Sequence, residues 1–157
     1  MKEKKQVRLV NISKARVQKI DPKLPLVSIT DRYSNGVSIP YKDQRPLLQL
    51  EFFPRDHAPE IAVEHCMTIE RADQLIKFVE EQREAGAEVI YIHCTEGRVR
   101  SYSVCAALES LPGFYHDHSD ACIKTGILDR YTYNLLGDRC DAYDEARSAG
   151  AEEEAAS

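Results

Sequence analysis

One short stretch of this chain holds side chains whose types and spacing suit attack on a phosphate ester: His93-Cys94-Thr95-Glu96-Gly97-Arg98-Val99-Arg100-Ser101. A cysteine thiolate is a strong nucleophile. An arginine guanidinium is a planar fork that can grip two oxygens of a phosphate at once. A glycine between them allows the backbone to curl so that several N–H groups point at one spot, an anion nest. Ser101 is placed to donate a hydrogen bond to the Cys94 sulfur, and His93 to brace the loop through backbone carbonyls.

Such a loop works only if rigid elements hold both of its ends. Val89-Ile90-Tyr91-Ile92 is an unbroken apolar and aromatic run behind Ala87 and Glu88, as in a fully buried strand of a parallel sheet. After the loop, Tyr102 to Leu108 has helical spacing. A buried strand therefore meets a helix N-terminus, with its unpaired N–H groups and positive dipole end. Cys94 would lie at the floor of the nest, where that field favours the thiolate. A plain buried cysteine at a strand end, with a surface arginine nearby, is the competing account. It explains neither the position of Gly97 nor the spacing of Arg100.

The pattern His-Cys-x-x-Gly-x-x-Arg-Ser resembles the signature of cysteine-dependent protein tyrosine and dual-specificity phosphatases, matched here by His93, Cys94, Gly97, Arg100 and Ser101. The resemblance rests on nine residues, in the strand–loop–helix context the motif requires. It implies an α/β fold with a short, mostly parallel sheet and helices on both faces. It implies phosphate binding by Thr95, Glu96, Gly97, Arg98, Val99 and Arg100, and catalysis through a cysteinyl phosphate at Cys94. The chain has no Trp, so it resembles the small dual-specificity branch rather than the larger domains with a Trp-Pro-Asp loop. The branch with its cysteine loop near the N-terminus does not fit Cys94.

Expelling an alkoxide calls for a general acid, worth roughly 10²–10⁴-fold in rate. In the family that the loop resembles, this is an Asp on a loop after an earlier strand. Asp56 follows the 47–53 strand, and Phe53-Pro54-Arg55-Asp56 resembles a loosened aromatic-Pro-Asp loop. Asp56 is the expected acid, with Asp43 and Asp31 as runners-up. Asp73 sits on a helix flank and reads as a solvated charge.

Other readings of the chain are testable. His116-x-His118 with Cys122 comes nearest to metal-ligand spacing but lacks an obvious fourth ligand, so no metal or cofactor is expected. A phospho-binding module would keep Arg100 and lose the nucleophile, yet Cys94 is present. The start of the loop, Cys94-Thr95, is similar to that of RNA 5′-triphosphatases of the superfamily. The extra cation Arg98 is similar to that of its phosphoinositide phosphatases. Against a polyanionic substrate, Glu96 offsets Arg98 and the net charge is −5. Sulfur-transfer loops lack the glycine at this place. The resemblance implies a phosphotyrosine protein as substrate, with phosphoserine and phosphothreonine added if the pocket is shallow. A polyanionic substrate, phosphoinositide or RNA 5′-triphosphate, or a catalytically weak phospho-binding module stays as the alternative.

With 157 residues, 43% apolar and 30% charged, the chain is long enough for one domain with a real core. No apolar run is long enough for a membrane span. The basic start Met1 to Lys5 leads into no apolar signal region. Five Cys without a CxxC pair fit a reducing, cytoplasmic compartment. The acidic balance speaks against nucleic acid as a partner, and the oligomeric state is left open.

Along the chain, Val7 to Ile12 is expected as an edge strand, with 15–20 a hairpin partner or loop. Strands are expected at 26–30 and 47–53. Thr68 is placed to cap a helix running to about Ala85, with Ile69, Ala72, Leu75, Ile76 and Val79 on one face and Gly86 just past its end. Pro112-Gly113 stops the second helix, and 114–125 reads as loop. Leu128 to about Tyr143 reads as a helix with a break at Gly137. Residues 1–145 are expected to form a single domain, phosphatase-like and catalytic as the resemblance implies, and 146–157 an acidic tail expected to fray or be disordered.

Overall fold

The computed structural model of the chain describes residues 6–31, 38–96, 98–118 and 126–156. Five strands, β1 (Val7–Ser13), β2 (Leu26–Thr30), β3 (Leu47–Glu51), β4 (Val89–Cys94) and β5 (Phe114–His116), form one sheet in the order β3-β2-β4-β1-β5. Every pairing is parallel. The helices are α1 (Ile69–Glu84), α2 (Arg100–Leu108) and α3 (Arg130–Ala156), with 3-10 turns at Lys14–Gln18, Arg55–His57 and Val63–His65.

Strand periodicity divides the core in two. Ile90, Ile92 and Cys94 of β4, with Val7 and Leu9 of β1 and Val27 and Ile29 of β2, face all three α-helices. Val89 and Tyr91 of β4, with Val10 and Ile12 of β1, face the other way, toward Val17 of the 3-10 turn and Ile20, Leu24 and Ile39. The class is α/β with a parallel sheet, as expected. The α-helices share one face, and a 3-10 turn with its flanking segments covers the other. Each large side chain buried on these faces is worth about 1.5–3 kcal/mol.

Register brings the chemistry to one rim. Ser13 pairs with Cys94 and Ser28 with His93, so the carboxyl ends of β1, β2 and β4 end near one level. This is the edge at which parallel α/β sheets take their ligands.

The structure corrects several sequence expectations. β1 is an interior strand, because β5 pairs along its far side. The sign was in the residues: apolar side chains on both faces of Val7 to Ile12 mark burial on both sides. β5 replaces part of the loop expected over 114–125. Only three residues long, it offers too little alternation to be read from sequence. Residues 15–18 form neither a hairpin nor an open loop but most of the 3-10 turn, which ends before Lys19 and Ile20. Thr68 caps α1 as expected, its Oγ1 accepting from the Arg71 N–H at 3.2 Å, and Gly86 takes φ +92°. Ile69 is 53% exposed, however, and lies off the buried face. α3 has no break at Gly137 and continues to Ala156, through most of the stretch expected as a disordered tail. Alanine and glutamate are strong helix formers, and isolated glycines cost such a helix only about 1 kcal/mol each. Arg139 with Asp73 and Arg147 with Glu80 tie α3 to α1. No described helix is long and apolar enough to cross a membrane.

Candidate active site

β4 delivers His93 and Cys94 to the rim, and α2 starts at Arg100. The loop between them is held by its neighbours. The Lys14 N–H donates to the Thr95 carbonyl at 3.1 Å, and the Ile127 N–H to the Arg98 carbonyl at 2.8 Å. The Val99 carbonyl accepts from both the N–H and the hydroxyl of Ser103, at 2.9 and 2.6 Å. Gly97 lies outside the described residues, as does Cys122. Glu96 and Arg98 are exposed.

Cys94 is 3% exposed, and its Sγ lies 3.2 Å from Ser101 Oγ in the first turn of α2. Arg100 is 7% exposed. Its Nη1 donates to the Phe52 carbonyl at 3.0 Å and meets Asp31 Oδ2 at 3.2 Å, while Nη2 donates to Thr95 Oγ1 at 3.2 Å. The guanidinium thus spans the exits of β2 and β3 and the start of the cysteine loop. The site can offer a thiol at its floor, a hydroxyl on the sulfur and a buried cationic fork at its wall.

His93 braces the loop through a set tautomer. Its Nδ1 lies 3.3 Å from the Cys94 carbonyl, which can only accept, so Nδ1 carries the proton. Nε2 is then an acceptor, and the Ser28 hydroxyl donates to it at 2.6 Å. Burial lowers the His93 pKa to about 4, with the Arg100 and Lys14 cations adding to the effect against the Cys94 carbonyl. Burial, followed by the neighbouring His118, lowers that of His116 to about 4 as well.

These shifts carry a prediction. Both imidazoles stay neutral in the folded protein down to about pH 4, whereas an unfolded chain takes up their protons near pH 6.5. Their contribution to stability is whole above pH 6.5 and is lost as pH falls toward 4, on the order of 3 kcal/mol for each histidine. Urea unfolding at pH 7 and pH 4 is expected to show a much lower midpoint in acid. A smaller drop in the His93→Gln variant would trace its share to that residue, and equal midpoints at the two pH values contradict the assignment.

Burial raises the pKa of Cys66 and pushes Cys105 well above the ordinary thiol value. Cys140 is raised to about 12, again chiefly by burial.

The candidate acids are distributed unevenly. Asp56 lies on the 3-10 turn directly after β3, as the sequence implies, but its carboxylate is engaged by a helix end. Oδ2 accepts from the Arg130 N–H at 3.0 Å and the Tyr131 N–H at 3.4 Å, the first residues of α3. Asp31 is the carboxylate that touches Arg100. Asp43 is exposed, and Asp73, read from sequence as a solvated charge, forms an ion pair with Arg139 at the surface. Among the described residues no group of three or more His, Cys, Asp or Glu is arranged to hold a metal.

Sequence reasoning missed Ser28, Ser103 and Asp129. Ser28 is the one polar residue flanked by Leu26, Val27 and Ile29 in a buried strand, which was a usable signal. Asp129 stands just before an apolar-periodic run, the ordinary position of a helix cap.

No protein-family model matches the chain, and no curated protein matches it in sequence. Solved structures do match in fold. PTPMT1 in complex with PI(5)P superposes with a TM-score of 0.54 at 14% identity, over 86% of this chain and 86% of that one. A second PTPMT1 structure gives 0.54 at 16% identity, over 90% and 95%. Human DUSP28 gives 0.46 at 15% identity, over 90% and 94%. The chain has the fold of the dual-specificity and protein tyrosine phosphatases. Within that fold, its own loop places Cys94, Ser101 and Arg100 at the end of the central strand.

Proposed function

We propose that this chain is a cysteine-dependent phosphomonoester hydrolase acting on phosphotyrosine proteins, and on phosphoserine and phosphothreonine proteins as far as pocket depth allows. The observation that carries the reading is the buried pairing of Cys94 Sγ with Ser101 Oγ at the junction of β4 and α2, with the buried Arg100 guanidinium on the same loop. In the first step the Cys94 thiolate attacks phosphorus. The S–P bond forms, the ester O–P bond breaks, and the leaving oxygen takes a proton from a carboxylic acid. Arg100 and the loop N–H groups hold the phosphoryl oxygens, exchanging internal acceptors such as Asp31 for substrate. In the second step the carboxylate takes a proton from water, which attacks phosphorus and releases inorganic phosphate and the thiolate. The Ser101 hydroxyl supports that thiolate. The scheme invokes no cofactor, and a reducing, cytoplasmic setting keeps Cys94 free to react.

Asp56 is the proposed acid, on its place in the loop leaving β3. Proton delivery from it requires the carboxylate to leave the α3 N–H groups. Asp31 is the second reading, favoured by its 3.2 Å contact with Arg100. The leaving group decides between them. Asp56→Asn is expected to slow an alkyl phosphate roughly 10²-fold or more, with a much smaller effect on para-nitrophenyl phosphate, whose leaving group needs little protonation. The pH–rate profile on the alkyl substrate is expected to lose its high-pH limb. If Asp56→Asn matches wild type on both substrates and Asp31→Asn shows the selective loss, the acid is Asp31.

Two substrate alternatives stay in view. The exposed Arg98, with Lys14 held next to the loop by its backbone N–H on the Thr95 carbonyl, suits a polyanion such as a phosphoinositide or an RNA 5′-triphosphate. A catalytically weak phospho-binding module would bind through the same groups. Relative turnover of phosphotyrosine and phosphothreonine peptides, a phosphoinositide and a triphosphate RNA separates the substrates. Tight phosphopeptide binding without turnover would mark the binding module.

A further inference from the structure

We propose that Asp129 is a positioning residue that locks the Asp56 loop to the cysteine loop, an inference that rests on the reading of Asp56 as the acid. Asp129 is 0% exposed, and a buried carboxylate persists only where its oxygens are well supplied with donors. Its two oxygens serve different partners. Oδ2 accepts from the Thr132 N–H at 3.2 Å and from the Thr132 hydroxyl, an N-cap on α3. Oδ1 accepts from the Asp56 N–H at 2.8 Å, with His57 Nδ1 at 3.4 Å.

The backbone of Asp129 completes the link. Its N–H donates to Ser103 Oγ at 2.8 Å, and the Ser103 hydroxyl donates to the Val99 carbonyl at 2.6 Å. A continuous chain of hydrogen bonds therefore runs from Val99 in the cysteine loop, through Ser103 and Asp129, to the backbone of Asp56. The Asp56 carboxylate answers by bonding the Arg130 and Tyr131 N–H groups. Capping α3 needs only one oxygen. The second holds the acid loop, so the two tasks can be separated by substitution.

Asp129→Ser keeps one cap oxygen, and serine is as good an N-cap as aspartate, but it offers nothing to the Asp56 N–H. Asp129→Asn keeps the volume and leaves a single acceptor for the two N–H groups of Asp56 and Thr132. The experiment compares both variants with wild type and Asp56→Asn, using hydrogen exchange at the Asp56 amide and kcat on an alkyl phosphate and on para-nitrophenyl phosphate. For at least one folded Asp129 variant the expected result is Asp56 exchange at least about tenfold faster. The same variant is expected to lose about tenfold or more in kcat on the alkyl phosphate and no more than about twofold on the aryl one. A merely structural role would lower both substrates alike. Unchanged Asp56 exchange in both variants, or a uniform loss where Asp56→Asn is selective, overturns the positioning role and leaves the acid assignment standing. Absence of selectivity in Asp56→Asn itself overturns the acid assignment, and the positioning role with it.

Discussion

Cys94→Ser is expected to lower turnover by at least about 10⁴-fold, the scale seen when an enzyme loses its nucleophile. The substitution exchanges sulfur for oxygen in a buried position without changing the backbone or the volume by much. Fold and phosphate binding are therefore expected to persist, because Arg100 and the loop N–H groups are untouched. In the wild-type protein, iodoacetate should label Cys94 ahead of Cys66, Cys105 and Cys140, whose thiols burial holds protonated. Vanadate or phosphate should protect Cys94 from the label. Activity retained in Cys94→Ser would place the nucleophile elsewhere.

Arg100→Lys is expected to cost about 10²–10³-fold in kcat, comparable to removing a preorganised oxyanion donor. Lysine keeps the charge but presents a single ammonium. It cannot hold the Phe52 carbonyl while presenting two parallel N–H groups to phosphate. Inhibition by inorganic phosphate should weaken in parallel. Kinetics close to wild type would show that the guanidinium serves only to tie the exits of β2 and β3 together.

Much of this architecture was legible in the residues. The apolar run at Val89 to Ile92, the cysteine, glycine and arginine after it, and the helical spacing behind them define β4, the loop and α2. Thr68 and Gly86 mark the two ends of α1. What the sequence hid is mostly nonlocal. β5 is a three-residue strand that depends on β1 for its pairing, so its own pattern carries little. The length of α3 reflects helix propensity in a segment whose acidity reads as solvated tail. The partners of the carboxylates could not be read at all. Asp56 sits on the expected loop, yet its bonds go to the start of α3, more than 70 residues further along the chain. Asp31 reaches Arg100 across a comparable separation. Such contacts follow from strand order, which spacing along one segment cannot convey.

The most direct test of the central claim is to catch the phosphate on sulfur. Wild-type protein mixed with excess para-nitrophenyl phosphate is denatured within the first turnover, digested and mapped by mass spectrometry. A phosphoryl group is expected on the peptide containing Cys94, and none on that peptide from Cys94→Ser. Turnover that proceeds with no phosphate ever found on Cys94 would contradict the mechanism.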